Sequence, residues 1–247
     1  MGKFISILLI IIGLCSSCKE LAQGPPSIPP EPEAPLNKIM PLGASRVAGD
    51  RPNHESFRYD LWKELILNNW SFDFIDTQED NAIYLPVENT PFDPDHEGAG
   101  GRTSDDILVN LFNWLRESGA PDIVLFSSPG GNDVLRREPL ERTISNLESI
   151  IDILQKANPQ VTVIIEKFAS GRSSLITPEI SNDIKNLHQA IARIATEKTN
   201  DQSEIIVVDM YTGFDDDLLA DNIHYNDSGA QFIAERYYKV LRNVLKK

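Results

Sequence analysis

From Asn37 onward, apolar positions switch repeatedly between a period of two and one near 3.6. These are the repeats that a strand and a helix impose on side chains sharing one face. Short apolar runs predict strands over Lys38–Leu42, Phe72–Asp76, Asp122–Ser127, Val161–Lys167 and Glu204–Asp209. Between them, helical spacing runs over Phe57–Asn68, Ser104–Ser118, Leu140–Ala157, Pro178–Lys198 and Asp227–Leu245. Thr103-Ser104-Asp105-Asp106 and Asn226-Asp227 supply a capping side chain followed by carboxylates, which suits the free N–H groups of a helix start. Strands joined by helices pair in parallel through right-handed crossovers, with helices on both faces. Ile123–Phe126 and Val161–Ile165 are almost continuously apolar, as strands covered on both sides require. The expectation is one three-layer α/β/α sandwich over residues 37–247, built on a five-stranded parallel sheet. Ligands of such sheets sit beyond the carboxyl ends of the strands.

The first residues follow another logic. Lys3 precedes an apolar run, Phe4–Leu14, shorter than the roughly 20 residues that span a bilayer. It reads as the core of a secretory signal. Ser16-Ser17 before Cys18 resembles a bacterial lipoprotein cleavage site with Cys18 as the lipidated residue, although Cys15 stands where Leu is usual. Residues 19–36 hold Pro25, Pro26, Pro29, Pro30, Pro32 and Pro35, a stretch that favours an extended, semi-rigid spacer. The expected organisation is a lipoprotein signal peptide over 1–18, a proline-rich linker over 19–36 and a folded domain over 37–247. The protein would then be secreted across the inner membrane and lipid-anchored to the cell envelope, periplasmic or surface-exposed. Lys19-Glu20 resembles a short surface-export signal.

Composition narrows the chemistry. With 23 Lys plus Arg against 37 Asp plus Glu, the net charge of −14 repels phosphate and excludes a nonspecific nucleic-acid binder. The two cysteines, Cys15 and Cys18, leave the domain without a disulfide framework or a thiolate metal site. No Gly-x-Ser-x-Gly, Walker loop or His-Glu-x-x-His occurs.

The predicted strand ends carry Gly43-Ala44-Ser45-Arg46, Asp95-His96-Glu97-Gly98-Ala99-Gly100-Gly101, Ser128-Pro129-Gly130-Gly131-Asn132-Asp133 and Asp221-Asn222-Ile223-His224. Acyl transfer needs such a set. A serine hydroxyl requires an adjacent base, which His224 can supply, and Asp221 can fix the imidazole tautomer. The Ser45 N–H, the Gly101 N–H and the Asn132 amide are donors for a tetrahedral oxyanion. Taken singly, each residue has a plainer role as loop serine, turn glycine or turn asparagine. His96 also has an aspartate, Asp93, three residues before it. It is read as a polar loop histidine; the stretch from Gln78 to Glu97, with Glu79, Asp80, Glu88, Asp93, Asp95 and Glu97 and no Lys or Arg, reads as a solvated acidic loop, and Asp93, Asp95 and Glu97 are not taken as a calcium site. Trp62, Trp70 and Trp114 read as core.

In order and spacing, these four segments resemble the sequence blocks of the SGNH (GDSL-type) esterases and lipases, over a range from Ile39 to about Leu245. Asp95-His96-Glu97-Gly98 and Asn226-Asp227-Ser228-Gly229 are most similar to the acetyl-xylan esterase branch. The resemblance implies a flavodoxin-like fold and serine hydrolysis of esters without metal or cofactor. It further implies a triad of Ser45, Asp221 and His224, an oxyanion hole of Ser45, Gly101 and Asn132, and an acylated small molecule or glycan as substrate. Ala44 departs from the family's usual Asp before the serine, so a carboxylate that would help order this loop is missing. Two alternatives stay open: a lysophospholipase- or thioesterase-like acylhydrolase, and a noncatalytic carbohydrate-binding lipoprotein.

Overall fold

The computed structural model describes residues 37–246; the expected signal peptide, Cys18 and the proline-rich linker lie outside the described residues. In chain order the domain runs β1 (Lys38–Gly43), α1 (Ser45–Ala48), α2 (Arg58–Leu67), β2 (Asp73–Phe74), β3 (Gln78–Glu79), β4 (Asp95–Gly98), α3 (Ser104–Ser118), β5 (Ile123–Phe126) and α4 (Gly131–Arg136). It continues through α5 (Leu140–Ala157), β6 (Thr162–Lys167), α6 (Pro178–Lys198), β7 (Ile205–Asp209), a 3₁₀ turn (Asp216–Leu218) and α7 (Asp227–Val244). The sheet order is β3-β4-β1-β5-β6-β7, with β2 also on β1. All pairings are parallel except β3 with β4.

Alternation along the strands builds two cores. Met40, Leu42, Val124, Phe126, Val163 and Ile165 pack on one face with apolar residues of α3, α5 and α6. Ile39, Ile123, Leu125, Ile164 and Val208 pack on the other with α2 and α7. The three-layer α/β/α architecture therefore stands, with Trp62 buried and Trp70 and Trp114 packed against the cores.

Among the described residues the sheet has seven strands rather than the expected five. The run expected over Phe72–Asp76 pairs only at Asp73 and Phe74. Beyond it, Asp95–Gly98, expected as loop, pairs with β1 at Leu42 and Gly43. The switch falls at Pro41. The carbonyls of Lys38 and Leu42 accept from Asp122 and Ser127 on the β5 side, whereas Ile39 accepts from Ile75 on the opposite side. Pro41 faces the same way as Ile39, so its missing N–H lies in the gap between β2 and β4, where proline removes no ladder bond.

Candidate active site

Ser45 comes one residue after β1, past Ala44, and opens α1, and β4 packs tightly against that turn. A Cβ on Gly98 would lie 2.6 Å from the Ala48 nitrogen and 2.8 Å from the Ala44 oxygen. Only glycine lets this strand support the serine turn so closely.

The loop between β7 and α7 brings the histidine. Asp221 Oδ1 accepts from the N–H groups of Ile223 and His224, each at 2.7 Å, while Oδ2 lies 2.7 Å from His224 Nδ1. His224 Nε2 is 2.9 Å from Ser45 Oγ. Burial opposes ionisation of Asp221, but the N–H donors of His224 and Ile223 and the imidazole outweigh it, and the carboxyl titrates at about 2. An ionised Asp221 places the proton on Nδ1, leaving Nε2 free to accept from the serine hydroxyl.

Two more strand ends close the site. Gly101 has φ +75°, the left-handed region open to glycine, and Arg136 donates to its carbonyl at 2.7 Å. Asn132 stands in the first turn of α4; its amide donates to the Arg102 carbonyl at 2.8 Å, and its second N–H has no acceptor among the described residues. Asp133, buried beside it, accepts from Ser104 N at 2.9 Å and Ser104 Oγ at 2.5 Å, which fixes the start of α4 against the start of α3. Ser45, Gly101, Asn132 and His224 all line one cavity of ≈ 480 Å³. The structure thus brings Ser45, Asp221, His224, Gly101 and Asn132 together. The chemistry available there is proton removal from a serine hydroxyl beside preorganised N–H donors.

His54 lines the same cavity, and its ring stacks on His224 with centroids 4.0 Å apart and planes at 11°. Burial, then the neighbouring His224, lowers the His54 pKa, favouring a neutral ring against the His224 face. Sequence reasoning missed this residue: Arg-Pro-Asn-His has no carboxylate at a spacing that marks a base, and only the fold places it there.

His96 corrects an expectation. It is no loop histidine: it is 3% exposed in β4, and its Nδ1 accepts from Gly98 N at 3.0 Å. Burial, helped by Arg58 and Arg102, lowers it to about 2. Of the acids around it, Glu97 is buried, Asp80, Asp93 and Asp95 are half-buried, and Glu79 and Glu88 are exposed. Asp80 pairs with Arg58 at 2.6 Å, Glu97 with Arg102 at 2.6 Å, and Asp93 accepts from Phe74 N and Asp95 N. Beneath, burial and the facing Glu97 carboxyl push Asp76 up to about 9.

A group raised from 3.8 to about 9 binds its proton more tightly in the folded than in the unfolded chain. Its contribution is complete below the unfolded value and is lost as pH rises toward the folded one, by about 1.4 kcal/mol per unit at most. Asp76→Asn mimics the protonated form. Thermal melts at pH 5 and pH 8.5 are expected to show this variant gaining on the wild type as pH rises; a constant difference would mean that Asp76 ionises normally.

Residues 78–232 match the GDSL-like lipase/acylhydrolase family. No curated protein matches the chain. Among solved structures, the fold is similar to a mutant acetyl esterase holding an acetate ion, at TM-score 0.71 and 28% identity, covering 85% of this chain and 98% of that one. A carbohydrate esterase family 3 protein from Talaromyces cellulolyticus gives the same values. A family 3 carbohydrate esterase from Clostridium thermocellum aligns at TM-score 0.68 and 28% identity, covering 85% and 99%.

Proposed function

We propose, from the premise that the chain belongs to the GDSL-like lipase/acylhydrolase family and is a serine ester hydrolase, that it removes acetyl or similarly short acyl groups from carbohydrate. The observation that carries the reading is the row from Asp221 through His224 to Ser45, at 2.7 and 2.9 Å. In the mechanism, His224 Nε2 takes the proton as Ser45 Oγ attacks the ester carbonyl. The oxyanion is met by the Ser45 and Gly101 N–H groups and the free amide N–H of Asn132. His224 then returns the proton to the departing sugar hydroxyl and activates water to release the acid, while Asp221 stabilises the transient imidazolium.

Two observations support the substrate class. On one side of Ser45 lies a cavity of ≈ 40 Å³ walled by Val134, Leu135, Phe168, Ile176, Ile184 and Ile223. That is well below the roughly 150 Å³ that admits a benzene-sized group, so it suits an acyl chain of very few carbons. Ser45 also lines the ≈ 480 Å³ cavity with Asp50 and His54, room for a hydroxyl-rich alcohol. Likeness at 28% identity to esterases of carbohydrate esterase family 3 points the same way. We also place the protein at the cell envelope, lipidated on Cys18 and held off the membrane by residues 19–36; the apolar Phe4–Leu14 and the prolines support this.

Hydrolysis of p-nitrophenyl acetate, butyrate and octanoate, followed by acetylated oligosaccharides, tests the substrate reading. The expected result is a kcat/KM for acetate at least about 10²-fold above octanoate, since an apolar pocket discriminates by tens-fold or more per methylene that does not fit. Octanoate equal to or above acetate would overturn it in favour of a lysophospholipase-like activity.

A further inference from the structure

Arg46 follows the proposed nucleophile directly and is only 6% exposed. Arginine has five N–H donors in a rigid planar fork. Here Nε and Nη2 both donate to the Ile223 carbonyl, at 2.9 and 2.7 Å. Nη2 also reaches the Ser170 carbonyl at 2.9 Å, and Nη1 donates to the Ala169 carbonyl at 2.6 Å and to Ser128 Oγ at 3.4 Å. The guanidinium lies 4.7 Å from the centroid of the Tyr225 ring. Ile223 and Tyr225 flank His224, Ala169 and Ser170 lead out of β6, and Ser128 leads out of β5. One cation on the serine turn therefore ties down three strand-end loops, holding the backbone just before the proposed base and facing the ring of the residue just after it.

No carboxylate forms an ion pair with Arg46 among the described residues, so carbonyl dipoles solvate its charge. Glu166, fully buried in β6, accepts from Ser128 N and Tyr237 Oη, each at 2.7 Å, and feels the Arg46 charge from that position. The position before Ser45 is Ala44, so no side-chain carboxylate is available there to order the turn.

We infer that Arg46 is a positioning residue that holds His224 in register with Ser45. Those two residues lie 179 positions apart; besides their own hydrogen bond, Arg46 joins the serine turn to Ile223, and the segment that follows it meets the histidine loop through His54 stacked on His224 and Glu55 N on the Tyr225 carbonyl. Misplacing a reacting group by about 1 Å costs on the order of 10²-fold. Arg46 acts through the placement of His224, its fork being occupied by the loop carbonyls, and the inference rests on the reading of Ser45 and His224 as nucleophile and base.

The test uses the full chain, p-nitrophenyl acetate and the variants Arg46→Ala and Arg46→Lys, each checked for folding by circular dichroism. Arg46→Ala is expected to lose about 10²-fold in kcat with KM within about threefold, and millimolar guanidinium should restore part of the loss. Lysine keeps the charge but cannot form the fork, so folded Arg46→Lys should still lose about 10-fold. If the alanine variant does not fold, the lysine variant decides. A folded Arg46→Lys with wild-type kcat overturns the inference, as does an Arg46→Ala loss that merely tracks the unfolded fraction and ignores guanidinium. Ser45→Ala run alongside separates the two readings: full turnover without the serine would sink the nucleophile assignment, whereas a dead Ser45→Ala beside fully active Arg46 variants sinks only the positioning role.

Discussion

Ser45→Ala is expected to lower kcat by about 10⁴-fold or more while leaving the melting temperature near that of the wild type. The reasoning is local. Ser45 Oγ makes its hydrogen bond to His224 Nε2 in an open cavity, so removing one oxygen creates no buried void and orphans no buried donor. Attack then has no protein nucleophile, and only donors for the oxyanion remain. His224→Ala is expected to match that loss, because the two residues act as a unit and their deletions do not add. His96→Ala is the control. Its imidazole is buried in β4 against Gly98 N, so its removal should cost stability without abolishing turnover per folded molecule. Steady-state rates with p-nitrophenyl acetate and labelling by a fluorophosphonate probe check all three. Equal losses in the two histidine variants would mean that the base is misassigned. No serine labelling in the wild type, together with retained glycan binding, would favour a noncatalytic carbohydrate-binding protein.

Arg58→Ala is expected to be among the most destabilising single substitutions, by about 3–5 kcal/mol, or roughly 10 °C in a domain of this size. Arg58 is 0% exposed. Its guanidinium donates to the carbonyls of Val47 at 2.8 Å, Ala48 at 3.0 Å and Pro94 at 2.8 Å, and to Asp80 Oδ2 at 2.6 Å. Truncation would strand those carbonyls together with a half-buried carboxylate, and an uncompensated buried charge is the costly outcome. The residue also staples α2 to the end of α1 and to the entry of β4, so activity should fade with stability and not ahead of it. Denaturant unfolding would measure the effect; a change below about 1 kcal/mol would show that water replaces the lost donors.

Much of the architecture was legible from period alone. The helices expected over Ser104–Ser118, Leu140–Ala157 and Pro178–Lys198 have those bounds in the structure, and Thr103 caps the first of them through Asp106 N as its sequence implied. Their apolar stripes repeat over many turns, and burial on one face leaves a trace that local sequence records. The short helices α1 and α4 left none, because four and six residues are too few for a period to emerge.

Strand β4 shows the opposite case. Asp-His-Glu-Gly reads as solvated loop, yet His96, Glu97 and Gly98 are buried because Arg102 and Thr77 neutralise and bond Glu97 and the backbone of Gly98 bonds His96. The two Asp-x-x-His segments make the same point. Sequence offered Asp93 with His96 and Asp221 with His224 at identical spacing, and favoured the latter by its place after the last strand. Only the fold occupies Asp93 with the N–H of Phe74, brings His224 to Ser45, stacks His54 on that ring and reaches Arg46 across 177 residues to Ile223. A chain's own order therefore determined where the strands, helices and candidate chemistry lie, since apolar burial is periodic and local. Which polar groups distant in the chain meet was decided by tertiary structure, because a buried charge or donor is often satisfied by partners that sequence proximity does not supply.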